Sequence, residues 1–296
     1  MNKLYGTIDI GGTKIMAGIT DSEGTILSYD KFPTLELQVS DTMDKIINCL
    51  EGQCQKQGLT LKELSGIGVV CAGPVDVTGG TIENPYTLPG WDHYPLVQVL
   101  SQRSGLPVKL ENDVNGALLG EVTLKGLTDK RVLMIAFGTG IGAAFQADGQ
   151  LYRVGRFHPE LGHIVVSGEG ERCYCGQQGC FESLWSGTAL HKRAKELGYT
   201  DFNELYAEQE KGDEKALAFI RTIQKELKTA VWNLGIIFKP DAVILGGGIM
   251  GSYFQFAKNT LVSDMRDNDD FVPPYEILQA DPEHNPALIG AMKLFC

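Results

Sequence analysis

"IDIGGTKIMAGITDSEG" (residues 8–24) and "IAFGTGIGAAFQADG" (residues 135–149) carry one pattern. Each runs from an apolar, strand-like stretch through a turn of glycine and threonine into a second such stretch, and closes on an acidic turn. The first turn glycines, Gly11 and Gly138, stand 127 positions apart, and so do the turn aspartates Asp21 and Asp148. Two unrelated hairpins could share so short a likeness. Read as a repeat, it predicts two related halves, each offering a glycine hairpin to a phosphate in a shared cleft.

Outward from these hairpins the chain reads as mixed α/β. "EGTILSY" supplies a third strand, and a helical pattern follows over 40–57 with Ile46, Ile47 and Leu50 on one side. "GIGVVCAGPVD" is a buried strand running into a Gly-Pro turn, "PVKLEND" a strand and "VNGALLGEVTL" a helix. A long helix spans 213–238, and "DAVILGGG" is a strand ending in glycines. With 296 residues, two ordinary domains or one large one are expected. We expect residues 1–112 with about 283–296 to form a smaller domain and 113–282 a larger one.

Composition limits the function. A net charge of −11 argues against nucleic acid as a partner, which needs clustered Lys and Arg. No apolar run approaches the ~18 residues of a membrane span, and "MNKLYGTIDIGG" lacks the apolar core of a signal peptide. No membrane association and a cytoplasmic location are therefore expected. Seven cysteines is an odd count, and Cys49, Cys54, Cys71 and Cys296 are scattered, which suits a reducing compartment rather than a disulfide framework.

Three glycine loops compete for a nucleotide: "DIGGTK", "GTGIG" and "GGGIMG". Glycine lets backbone amides approach a phosphate and permits the positive φ such turns use. None has the GxxxxGK[ST] spacing of a P-loop. Gly246, Gly248 and Gly251 match GxGxxG after a strand and before a helix, so a dinucleotide site is a rival. Only about fifty residues follow, too few for a full dinucleotide domain, and the two hairpin loops lead into strands rather than helices. Asp9, just before the first glycines, suits Mg²⁺ held beside phosphate. Thr13 and Thr139 add hydroxyls.

"KLENDVNGALLGE" sets Glu111, Asn112 and Asp113 where a strand gives way to a helix. Asn and Asp are preferred helix N-caps, and capping alone would explain them. A phosphoryl transferase acting on an alcohol also needs a carboxylate to orient the hydroxyl and take its proton. Asp113 is the candidate base, with Asn112 beside it to hold substrate.

"ERCYCGQQGCFES" puts Cys173, Cys175 and Cys180 inside eight positions. Cys173 and Cys175 are too close in sequence for a relaxed disulfide. Three soft ligands want a fourth for tetrahedral zinc, and His163 in "ELGHIVV" lies ten residues before Cys173. Such a Cys₃His site is closed, hence structural, with free thiols or redox chemistry as the alternative reading of the cluster. Zinc would then fix Glu160 and Glu182, whose carboxylates could accept hydrogen bonds from a sugar. Solvated loop charges are the plainer alternative.

In this order and spacing "DIGGTK", "ENDVNGALLGE", "GTGIG", "ELGH", "CYCGQQGCFES" and "SGTAL" resemble the ROK family of repressors and sugar kinases. The resemblance implies an α/β chain of two RNase-H-like, actin-like domains around an interdomain cleft, with ATP-dependent transfer to a hexose hydroxyl. By that resemblance Asp113 is the general base, and Asn112, Glu160, His163 and Glu182 contact the sugar. His163 is implied to use one ring nitrogen for zinc and the other for the sugar. Cys173, Cys175 and Cys180 are the remaining zinc ligands. Asp9, Gly11, Gly12, Thr13 and Lys14 match the first phosphate loop, and Gly138, Thr139 and Gly140 the second. Gly246, Gly247 and Gly248 match the adenosine side, and Asn84 in "ENPYTLPGW" lies on the implied sugar wall. ATP, Mg²⁺, structural Zn²⁺, a small sugar substrate and a homodimer follow from the same resemblance.

One departure concerns the substrate. Members commonly carry small residues before the Glu of ELGH, whereas this chain has "FHPELGH", so His158 and Pro159 make the approach bulkier and stiffer. Glucose, acting through its 6-hydroxyl, is the default; fructose, N-acetylmannosamine and β-glucosides stay open. Repressors of the family carry a helix-turn-helix before the sugar-binding part, and DIGGTK already begins at Asp9. A non-catalytic sugar sensor is the alternative of a different class, but it would have little reason to keep Asp113 together with both phosphate loops.

Overall fold

The structure, a computed structural model, describes residues 3–263 and 271–296. Elements are numbered in chain order over these residues. The first sheet has the order β3-β2-β1-β4-β7, from β1 (Leu4–Ile10), β2 (Lys14–Asp21), β3 (Ile26–Pro33), β4 (Ile67–Cys71) and β7 (Val108–Asn112). The second has the order β10-β9-β8-β11-β12, from β8 (Val132–Phe137), β9 (Ile141–Ala147), β10 (Gln150–Leu151), β11 (Ala242–Gly246) and β12 (Glu276–Gln279). The orders correspond strand for strand. β1–β2 and β8–β9 are antiparallel hairpins, and β4 and β11 add in parallel beside β1 and β8. The two quoted stretches are therefore equivalent hairpins of two RNase-H-like sheets. Among the described residues no helix is long and apolar enough to cross a membrane.

The chain divides into two compact units, Met1–Asp129 with Gly149–Pro159 and Asp281–Cys296, and Lys130–Asp148 with Glu160–Ala280. In the first, α1 (Val39–Lys56) buries Met43, Ile46, Ile47, Leu50 and Cys54 along one stripe against Ile8, Ile15 and Ile19 of the sheet. A short ribbon, β5 (Val75–Asp76) with β6 (Thr81–Ile82), and α2 (Leu96–Ser104) complete this side. In the second, α4 (Phe181–Trp185), α5 (Gly187–Glu196), α6 (Phe202–Glu210) and α8 (Met250–Val262) pack with the long α7 (Glu214–Phe238). Their core joins Trp185, Leu227 and Leu234 to Ile135 and Val243 of the strands.

The expected boundary at residue 112 moves to Asp129, because α3 (Asp113–Lys125) packs within the first unit on the C-terminal helix α9 (Pro286–Lys293). This crossing brings backbone against backbone. A Cβ on Gly290 would stand 1.7 Å from the Gly116 carbonyl oxygen, and one on Gly120 1.9 Å from that of Pro286. Only glycine permits that approach. The tight crossing fixes the start of α3, where Asp113 sits.

Candidate active site

In the first unit the parallel strands β1, β4 and β7 end level, with Ile10 opposite Cys71 and Cys71 opposite Asn112. Asp9 lies one residue inside this carboxyl edge and Asp113 one residue beyond it. Open α/β sheets bind ligands at that edge. Asn112 caps α3, its Oδ1 accepting from the Val114 N–H at 3.0 Å and the Asn115 N–H at 3.2 Å. Its Nδ2 donates to Asp113 Oδ1 at 2.9 Å, and the Val114 N–H donates to the same oxygen at 2.9 Å. Capping and orientation of the candidate base are thus one arrangement. Buried Glu111 is spent on structure, since it accepts from Asn115 Nδ2, the Asn112 N–H and the Arg153 guanidinium.

The electrostatics of this edge favour a bound cation. Burial, then repulsion from Asp113, raises the Asp9 pKa to about 7, with Lys14 pulling the other way. Burial raises Asp113 to about 6, against the Val114 N–H, the His158 imidazole and the Asn112 amide, which favour the carboxylate. The Cys71 thiol is also pushed up, by burial and then by both aspartates. Two oxygen donors that resist ionising together fit Mg²⁺. A base must be ionised to act, and a raised pKa makes Asp113 take up its proton sooner as pH falls. Accordingly kcat/KM for the acceptor should fall as pH drops through about 6. A profile still flat at pH 5 would remove Asp113 from the rate law.

The first hairpin turn is held by the Gly11 N–H donating to Lys14 O at 3.0 Å and by the Thr34 hydroxyl donating to Gly11 O at 2.6 Å. Thr13 and Lys14 stand exposed. The Asn84 side chain is engaged within the protein. Its Nδ2 donates to Ala72 O and Thr87 Oγ1, and its Oδ1 accepts from the Tyr86 and Thr87 N–H groups. With both donors and both lone pairs engaged, it staples the 84–87 turn.

In the second unit the Gly138–Gly140 turn meets two helix starts. The Gly187 N–H at the head of α5 donates to Gly138 O at 2.8 Å, and the Ile249 N–H ahead of α8 donates to Phe137 O at 3.2 Å. Of the glycine loops, only Gly247 takes the left-handed φ expected of them, at +88°, and a Cβ there would lie 2.3 Å from Phe137 O. The others matter for close approach. A Cβ on Gly140 would come within the contact limit of a Glu182 oxygen. Gly246 ends β11, and Gly248 opens onto α8 with free space around it. The "SGTAL" motif of the resemblance proves to be the start of α5. In its small "SGT" run Ser186 caps the helix by accepting from the Ala189 N–H.

Glu160, His163 and Glu182 gather in this unit. Glu182 Oε2 accepts the Ile141 N–H at 2.7 Å, which ties it to the Gly138–Gly140 hairpin. Glu160 and His163 bracket a single helical turn, and Phe181 N–H donates to Ile164 O at 2.9 Å to join the two segments. The ligand atoms of His163, Cys173, Cys175 and Cys180 all lie within 4.8 Å of one another. His163 Nδ1 is 3.4 Å from Cys173 Sγ, and the Cys175 and Cys180 sulfurs are 3.5 Å apart. Tetrahedral zinc with bonds of about 2.3 Å sets sulfurs about 3.8 Å apart, so the cluster fits that ion. His163 Nε2 turns away from the cluster and meets the Tyr174 hydroxyl at 3.0 Å.

The ROK family model matches residues 5–296. A glucokinase of Thermotoga maritima is 29% identical over 324 residues, covering 99% of this chain and 96% of that protein. An N-acetylmannosamine kinase of Vibrio cholerae is 32% identical over 245 residues, covering 82% and 83%. A solved ROK family glucokinase from Streptomyces griseus, in complex with glucose and AMPPNP, is similar with a TM-score of 0.76 at 30% identity, and 99% of each chain is covered.

Proposed function

The chain belongs to the ROK family and is an ATP-dependent sugar kinase, and from that premise we propose that it phosphorylates the 6-hydroxyl of a glucose-like hexose with Asp113 as general base. The observation that carries this reading is Asp113 at the level carboxyl edge of the first sheet, held by Asn112 and raised to about 6. A base poised there is ionised at neutral pH yet basic enough to take a proton from an alcohol.

Asn112 orients the base, and Glu160, His163 and Glu182 accept or donate hydrogen bonds to the ring hydroxyls. Asp113 removes the hydroxyl proton as the oxygen attacks the γ-phosphorus in line, and ADP leaves. Backbone amides of Gly11–Thr13 and Gly138–Gly140, with Lys14 and the hydroxyls of Thr13 and Thr139, stabilise the transferring charge. Gly246–Gly248 receive the adenosine end. Mg²⁺, held through Asp9, would neutralise phosphate charge. Zn²⁺, held by His163, Cys173, Cys175 and Cys180, would hold the sugar-reading loop in place.

The acceptor is tested by ADP release from MgATP with D-glucose, D-fructose, N-acetylmannosamine and β-linked disaccharides. Strong turnover on glucose supports the reading. Turnover confined to a ketose or an amino sugar would transfer the assignment to that acceptor. Sugar binding without turnover would favour the sensor.

A further inference from the structure

We propose that the Tyr174 hydroxyl stands in for one sugar hydroxyl, and so determines how this kinase discriminates between a hexose and its single-deoxy analogue. The inference rests on the sugar-kinase reading of Glu160, His163 and Glu182. Tyr174 lies between two of the cysteines, and its ring meets His163 edge-on, with centroids 5.0 Å apart and planes at 90°. His163 turns Nδ1 toward Cys173 Sγ, so a ligand role at Nδ1 leaves the proton on Nε2. Nε2–H then donates to the phenol oxygen at 3.0 Å. The phenol's own proton is directed to the Glu182 carboxylate, with Glu160 the next negative group. Accepting from His163 while donating to Glu182 is what a sugar hydroxyl would do between the same two side chains.

The ring is also placed to leave. Tyr174 is 66% exposed, so swinging it out opens no cavity. Two consequences follow. A sugar that brings a hydroxyl to this position must displace the phenol, and its apparent affinity is reduced by the fraction of sites the phenol fills. A sugar lacking that hydroxyl leaves the phenol in place, so His163 and Glu182 are not stranded. A site that reads a hydroxyl normally rejects the deoxy analogue because its polar groups lose their partner. Tyr174 relieves that penalty.

The test uses the full-length zinc-loaded enzyme and Tyr174→Phe, with Tyr174→Leu as a second variant. Whichever of D-glucose, D-fructose or N-acetylmannosamine gives turnover is compared with its single-deoxy analogues. KM and kcat come from ADP release, Kd from calorimetry without nucleotide, and zinc content is measured in each preparation. With the phenol gone, the parent sugar should bind about 3- to 10-fold tighter, with kcat within about twofold. One deoxy analogue alone should bind about 3- to 10-fold more weakly, so its ratio to the parent widens by about 10- to 100-fold. Unchanged ratios in both variants would overturn the proposal. So would weaker binding of the parent sugar, which would mean that the phenol acts alongside the bound substrate. Failure of the wild-type enzyme to bind or turn over any sugar would instead sink the kinase reading, and this inference with it.

Discussion

Asp113→Asn lowers kcat by about 10³-fold and changes the sugar Kd by less than about threefold. The substitution is nearly isosteric, and the new Oδ1 can still accept from the Val114 N–H and Asn112 Nδ2, which hold the native oxygen at 2.9 Å each. The α3 cap is unaffected because Asn112 supplies it. What is lost is the capacity to take a proton, since an amide is not a base at neutral pH. One of the two mutually repelling charges also disappears, so Asp9, raised in part by Asp113, should titrate lower in the variant. Single-turnover ADP formation and calorimetric sugar binding separate the two effects. Near-wild-type turnover would end the base assignment. Equal loss of binding and turnover would recast Asp113 as a substrate ligand.

Local features of this site were legible in the sequence. The two hairpins carry their own signal, because an antiparallel pair with a short turn is encoded by neighbours, and their spacing announced the repeat. The cap role of Asn112 and the His163, Cys173, Cys175, Cys180 set were likewise readable, being fixed by residue chemistry and short separations. What the sequence did not disclose depends on distant partners. Assignment of α3 to the first unit rests on Gly116 and Gly120 meeting α9 some 170 residues later, and no local pattern shows that contact. Asn84, which the resemblance puts on the sugar wall, spends three hydrogen bonds on its own turn and a fourth on Ala72 O. Glu111 gives no hint of the Arg153 guanidinium that satisfies it 42 residues on. The unusual His158 reads in the sequence only as bulk before the Glu, yet it also acts on the pKa of Asp113. A Cβ on Gly73 would lie 2.6 Å from its ring, which shows how closely it is seated there.

The second large effect is expected at Cys175, where Ser should abolish zinc binding and raise the sugar KM by about 10- to 100-fold while the domain stays folded. Small zinc domains unfold without metal because the ion supplies their folding energy. Here two other sources compete with it. The core of this unit is built from α4–α8 and the second sheet, with Cys175 outside it on the exposed side of the cluster. The segments bearing His163 and Cys180 are also joined by backbone, through Phe181 N–H to Ile164 O and Val166 N–H to Gly179 O, both at 2.9 Å. Loss of the ion should therefore spare the fold and loosen what backbone pairing does not fix, namely the His163 ring and the 170–178 turn. His163 is the part of it expected to read the sugar, whereas Glu182 stays tied to the Ile141 N–H and the Gly138–Gly140 hairpin is untouched. The signature is a raised sugar KM with little change in the KM for ATP, read beside metal content by mass spectrometry and far-UV circular dichroism. Collapse of the circular dichroism would show that the ion supplies folding energy after all. A zinc-free variant with an unchanged sugar KM would show that the cluster does not position the sugar-reading side chains, because backbone pairing alone would then be holding them.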